Sequence, residues 1–179
     1  TYASLTRAFD PARLGGARDW AATPALPMGT TIRRISGADG DRVLVRSRYT
    51  YNPSITVSPG AVARAGRVHD RKLASRFPQL AGERMEYRWA GAMALTWNSV
   101  PIVDEVEANL WVAAGCNGVG ATNATANGIV AAERALGHLS ELGRNFARTA
   151  PPAAVPPEPI ATIGGKATLA WKEWWAGDE

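Results

Sequence analysis

The stretch Leu110-Trp-Val-Ala-Ala-Gly-Cys-Asn-Gly-Val-Gly-Ala-Thr-Asn-Ala-Thr-Ala-Asn-Gly-Ile-Val-Ala-Ala-Glu-Arg134 decides how this chain is read. Leu110 to Ala114 is a short apolar run that predicts a strand. Gly115, Gly118 and Gly120 predict a turn, and the alanine-rich remainder predicts a helix to about Gly137. A strand that passes through glycines into a helix brings backbone N–H groups to the positive end of the helix. That arrangement suits an electron-rich ligand.

The remaining composition narrows the setting of this unit. A chain of 179 residues, 46% of them hydrophobic and 20% charged, can bury a core of its own. The net charge of +4 is not gathered into a basic run, which argues for a solvated surface and against a nucleic-acid partner. Cys116 is the single cysteine, so no internal disulfide framework or cysteine-rich metal site is expected. His69 and His138 match no ligand spacing, and no metal is expected. No apolar run reaches the ~18 residues of a membrane span and no signal pattern stands out, so a cytoplasmic protein without a membrane partner is the expectation.

Before the opening stretch, the chain alternates between β-type and helical patterns. Tyr2 to Phe9 reads as a strand, and residues 10–27 as irregular with a short strand near Trp20. Thr30 to Ile35 and Arg42 to Tyr51 read as a hairpin about Asp39-Gly40. In its second arm Val43, Val45, Tyr49 and Tyr51 share one face, and Arg42, Arg46 and Arg48 the other. Those arginines form either a wet sheet face or the wall of a substrate pocket. Ser58-Pro59 opens a helix whose stripe is Val62, Ala65, His69, Leu73 and Phe77, with Pro78 as the stop. His69 on that stripe reads as a satisfied histidine at the buried edge in preference to a ligand.

Glu83 to Thr96 begins as a strand, with Met85, Tyr87 and Trp89 on one side and Arg84, Glu86 and Arg88 on the other. It loosens at Ala90-Gly-Ala-Met-Ala94, where a glycine suggests a bulge or the close approach of a ligand. Ile102 to Val106 is a further strand. Past the alanine-rich helix, Pro151-Pro152, Pro156-Pro157 and Pro159 predict an extended tail. Lys166 to Trp175 then predicts a short helix carrying Leu169, Trp171, Trp174 and Trp175. Such a helix docks on its own protein or on a subunit, with a membrane surface as the alternative. The expected class is α+β, with a mostly antiparallel sheet, a covering helix and a C-terminal strand–glycine loop–helix unit.

Arg76-Phe-Pro-Gln-Leu80, Tyr87-Arg-Trp-Ala-Gly91, Thr96-Trp-Asn-Ser-Val-Pro101 and Ala114-Gly-Cys-Asn-Gly-Val-Gly120, with Gly128 beyond, follow one another in order. Together they resemble the C-terminal part of the FAD-dependent amine and amino-acid oxidoreductases of the D-amino-acid oxidase superfamily. The most similar branch is the one named for γ-glutamylputrescine oxidoreductase. The resemblance implies that Asn117, Gly118, Val119, Gly120, Ala121 and Thr122 reach the flavin of FAD. It also implies that Gly91 and Trp89 line the ring or the substrate pocket, with Arg48 and Tyr49 on the far wall and no dedicated catalytic base. Segments 1–109, 110–149 and 150–179 would then be a substrate portion, a flavin-contacting unit and a tail.

Two departures bear on the substrate. Many amino-acid-oxidising members carry Arg-Pro after the Trp-x-Gly, whereas Ala92-Met93 stands here, which moves the expected substrate toward an amine or ω-amino compound. Asp104 stands where the family has glycine after the residue matching Pro101. The family's Gly-x-Gly-x-x-Gly fingerprint for the pyrophosphate occurs nowhere in the sequence. The chain is therefore expected to be the C-terminal half of its protein, to bind FAD poorly alone and to need an N-terminal FAD-binding half; a homo-oligomer is a further possible partner. The competing reading is a non-enzymatic β-rich ligand-binding or subunit module, with Trp89, Trp97 and Trp111 lining an open groove.

Overall fold

The computed structural model describes residues 1–26 and 28–177. The protein is α+β, as its alternating patterns require, with all strand pairs antiparallel. Its residues divide into two units, one of Thr1–Ala92 and Glu158–Glu179, the other of Met93–Pro157.

The first unit holds a five-stranded sheet of β1 (Tyr2–Thr6), β2 (Trp20–Ala22), β3 (Thr31–Gly37), β4 (Gly40–Ser47) and β5 (Met85–Ala90), in the order β2-β3-β4-β1-β5. One face is covered by α1 (Pro59–Arg76). Ser58 caps this helix by accepting from the Ala61 N–H at 3.2 Å, with Pro59 in its first turn. Phe9, Ile32, Val43, Val45, Leu73 and Leu80 form the core between sheet and helix, joined at the margin by Leu14, Trp20, Phe77 and Met85.

Four sequence expectations for this unit change. The first strand ends at Thr6, with Phe9 kept only as a bridge to Asp41. The hairpin's second arm ends at Ser47, because Arg48 takes φ +61°, so Tyr49 and Tyr51 do not continue its face. A bulge between Leu5 and Thr6 pairs Thr6 with Met85 and Leu5 with Tyr87. Opposed residues share a face, so Met85 turns into the core while Tyr87 and Trp89 lie on the open face. The unit closes with α4 (Ile160–Ala176), longer than the predicted helix because it runs through Gly164-Gly165.

The second unit pairs β6 (Ile102–Glu107) with β7 (Leu110–Ala114) and adds α2 (Ala121–Ala135) and α3 (Glu141–Ala147). The strand–loop–helix predicted from 110–134 is present. The short α3 had no periodic signal. Its start is fixed by Ser140, whose Oγ accepts from Gly143 N at 3.3 Å while its own N–H donates to Glu133 Oε2 at 3.1 Å. The Ser140 contacts hold the Glu133 carboxyl below its usual range.

Candidate functional site

In the second unit, β7 leaves the hairpin at Gly115, φ +70°, and the loop turns again at Asn117 (+52°), Gly118 (+81°) and Gly120 (+76°). These positive φ values suit glycine, and asparagine at a small cost, and Gly120 combines its φ with ψ −137°, a region essentially restricted to glycine. The loop is fastened from within. Asn117 Oδ1 accepts from Thr96 N at 2.9 Å, and its Nδ2 donates to Gly115 O at 2.6 Å. The Thr96 hydroxyl donates to Val100 O at 2.7 Å. Val119 N donates to Cys116 O at 3.1 Å, closing the turn. The segments 96–101 and 114–120, separate in sequence, are thus one hydrogen-bonded piece.

The outer side of this loop is open. Gly118, Val119, Gly120, Ala121 and Thr122 are exposed. A Cβ added at Gly120 would meet nothing within 4 Å, and one at Gly118 only the Met93 sulfur at 3.8 Å. Gly120 is the N-cap of α2 and supplies no side-chain cap. Helix geometry leaves the N–H groups of Ala121, Thr122 and Asn123 without intrahelical acceptors, so they form a donor set at the positive helix end. Asn117 contributes differently: its side chain is used up inside the loop, which leaves it the role of shaping the backbone.

Polar turn residues that the sequence reading did not single out do the supporting work. Asn98 donates from Nδ2 to Pro151 O at 2.8 Å and accepts from Ala153 N at 3.0 Å, clamping the proline-rich tail to the 96–101 turn. The signal was a Thr and an Asn two residues apart in a turn. Among the described residues no cluster of His, Cys, Asp or Glu could hold a metal ion.

In the first unit, the predicted substrate residues fall in two places. Trp89 and Tyr87 lie on the open sheet face, 41% and 54% exposed. The register places Arg46, Ala3 and Trp89 in one row across β4, β1 and β5, and Leu44, Leu5 and Tyr87 in the next. Ala3 is the small floor between a cation and an indole that stand two strand spacings apart, about 10 Å. Arg46 donates from Nη2 to Thr31 Oγ1 at 2.8 Å, and its buried Nε has no acceptor among the described residues. The row was readable only with the register known, so the sequence pointed to Arg48. Arg48 follows the strand and pairs with Glu173 at 3.2 Å, and the same carboxylate accepts from Tyr49 N at 3.2 Å. Gly91 follows β5, is exposed, and has open space where a Cβ would stand.

Two buried polar groups belong to the scaffold. His69 is fully buried, with Nδ1 2.7 Å from Ser4 Oγ and Nε2 3.4 Å from Ser47 O. Burial lowers its pKa to about 4, so the ring is neutral. Asp41, also fully buried, accepts from Arg34 Nε at 2.7 Å and from Arg18 Nη2 at 2.6 Å. The Arg18 hydrogen bond, with Arg34 beside it, holds the carboxyl below its ordinary range. Arg34 in turn binds the carbonyls of Pro11, Gly15 and Ala17, so this pair pins the irregular segment after β1.

The fixed glycine loop thus opens an uncapped helix with exposed main-chain donors at its positive end. Residues 7–134 match the family model of the FAD dependent oxidoreductases (DAO), and the chain belongs to that family. No curated protein and no solved structure matches it. The loop fits the cofactor of the family at one edge: exposed donors, no side chain at Gly118 or Gly120 to obstruct a ring, and an open approach. Among the described residues no helix is long and apolar enough to cross a membrane.

Proposed function

We propose that this chain serves an oxidoreductase that oxidises the C–N bond of an amine or amino acid. The observation that carries the reading is the exposed, uncapped glycine entry to α2 in a chain of the FAD dependent oxidoreductase family. When bound, FAD supplies the acceptor for the hydride that leaves the carbon bearing the substrate amine. The N–H groups of Ala121, Thr122 and Asn123 would hold one edge of that flavin and would stabilise negative charge developing there. The family resemblance assigns Gly91 and Trp89 to the ring or the substrate pocket. Segment 1–109 carries the substrate and segment 110–149 the flavin contact.

Recognition of the substrate falls to the open face. Trp89 packs the carbon chain, Arg46 meets an acidic group, and Arg48 and Tyr49 border the site where Glu173 competes for the cation. Ala92-Met93 in place of Arg-Pro favours an amine or ω-amino compound over a simple α-amino acid. The pyrophosphate of FAD is assigned to a segment outside these 179 residues, since none of them forms the Gly-x-Gly-x-x-Gly fingerprint. Of the three tryptophans of the competing binding-module reading, Trp89 is on β5 of the first unit and Trp97 and Trp111 belong to the second.

The test is anaerobic mixing of the full-length, FAD-loaded protein with separate panels of amines, ω-amino acids and α-amino acids. Bleaching of the visible flavin band by an amine or ω-amino acid is expected. Loss of acid-bearing substrates on Arg46→Ala, with a raised KM and little change in kcat, supports the assignment of that side chain. A flavin that no amine reduces would overturn the proposal.

A further inference from the structure

Strand β5 lies at one end of the sheet of the first unit, with β1 as its strand neighbour. One ladder leaves such a strand loosely placed across the sheet, and here a side chain adds a second hold. Arg88 leaves β5 on the face covered by α1. Its Nη2 donates to both carboxylate oxygens of Asp70, at 2.8 and 3.0 Å, and its Nη1 donates to Ser4 Oγ at 3.3 Å. The guanidinium crosses α1 at the buried Gly66, where an added Cβ would stand 2.9 Å from the Arg88 Cδ and Cζ. Glycine is unfavourable inside a helix, and this one makes room for a single side chain.

Ser4 passes the interaction on. Its oxygen accepts from Arg88, so its own O–H points to His69 Nδ1, 2.7 Å away. The Ser47 carbonyl can only accept, so the neutral His69 ring carries its proton on Nε2, 3.4 Å from that oxygen. The donors thus run one way, from Arg88 to Ser4 to His69 to Ser47, and join β5, β1, α1 and β4. Ser4, His69 and Ser47 are all buried.

The register sets this chain directly beneath the candidate substrate row. Arg88 pairs with Ser4, and the next pair is Trp89 with Ala3, which in turn pairs with Arg46, the residue before Ser47. Successive residues of a strand point to opposite faces. Arg88, Ser4 and Ser47 therefore lie on the covered face, and Trp89, Ala3 and Arg46 on the open one. We propose that Arg88 is a positioning residue: seated on Gly66 between Asp70 and Ser4, it fixes β5 against α1 and so sets where Trp89 stands on the open face. The ion pair suits placement better than stabilisation. Its side chains are 30% and 47% exposed, and exposed pairs add little to stability. Three bonds from one planar group nonetheless define a single orientation. The consequence for substrate rests on the reading of Trp89 as a substrate residue; the placement of the indole does not.

The test uses the full-length, FAD-loaded protein labelled with 5-fluorotryptophan, with the Trp89 fluorine resonance assigned by its loss in Trp89→Phe. Gly66→Ala should shift or broaden that resonance, because the new methyl displaces the guanidinium. Thermal stability should be kept, since alanine suits a helix better than glycine. Adding Gly66→Ala to Arg88→Ala should move the resonance no further than Arg88→Ala alone. Gly60→Ala, whose methyl would stand 3.6 Å from Arg64 on the same helix, should leave it in place. With an amine that reduces the flavin, Gly66→Ala should raise KM several-fold with kcat nearly unchanged. Three results would overturn the proposal: a Trp89 resonance that Gly66→Ala leaves unmoved, one that Gly60→Ala moves as far, or a further shift from Gly66→Ala when residue 88 is already alanine. A displaced indole with an unchanged KM would overturn its consequence for substrate. A flavin that no amine reduces would overturn the substrate reading alone, and the resonance would still decide the placement.

Discussion

His69 and Asp41 show opposite ways of keeping a titratable group inside the first unit. His69 is held neutral by burial, with a pKa lowered to about 4. As pH falls below about 6.5 the unfolded chain takes up this proton and the folded chain does not, so stability is full above that pH and declines toward pH 4. The loss over this interval should be about 3 kcal/mol, read from urea unfolding at a series of pH values; in His69→Gln that part of the slope should vanish. Asp41 is instead kept charged by Arg18 and Arg34. Asp41→Asn would leave the buried Arg34 guanidinium without its counter-charge and should cost about 3–5 kcal/mol in the same assay. The histidine's role was legible from its place on the stripe of α1, since a core position demands a satisfied ring. Asp41 was not, because its partners Arg18 and Arg34 are brought together only by the folded segment after β1.

At the level of elements, local signals were clear where chain geometry alone sets the structure. Ser58-Pro59 located the start of α1, and the glycines of 115–120 located the loop before α2. Where tertiary contact decides, the sequence was silent. The left-handed Arg48 ends β4, the Leu5/Thr6 bulge moves Met85 and Tyr87 to opposite faces, and α3 rests on Ser140 and Glu133. Helix α4 extends through two glycines, normally costly by ~1 kcal/mol each, and one of them fits against Tyr51. Gly165→Val should therefore push α4 off that ring. The expected readout is faster proteolysis in the 150–160 segment, with the near-ultraviolet signal of the core retained.

For the whole molecule, the family assignment rests on the match of residues 7–134 to the family model, while the residues proposed to meet substrate depend on sheet register. Arg46 joined Trp89 only through Ala3, a neighbour no linear pattern reveals. The central claim is that the 118–122 backbone carries one edge of the flavin. It is tested most directly by the flavin-to-protein ratio of the full-length protein with Gly120→Val, compared with Gly82→Val. Gly82 also has a positive φ, +81°, and open surroundings, so it controls for a valine placed at positive φ away from the loop. The account predicts that Gly120→Val weakens FAD binding by about tenfold or more and purifies largely colourless, while Gly82→Val keeps its flavin. Full flavin content in a folded Gly120→Val protein would contradict it.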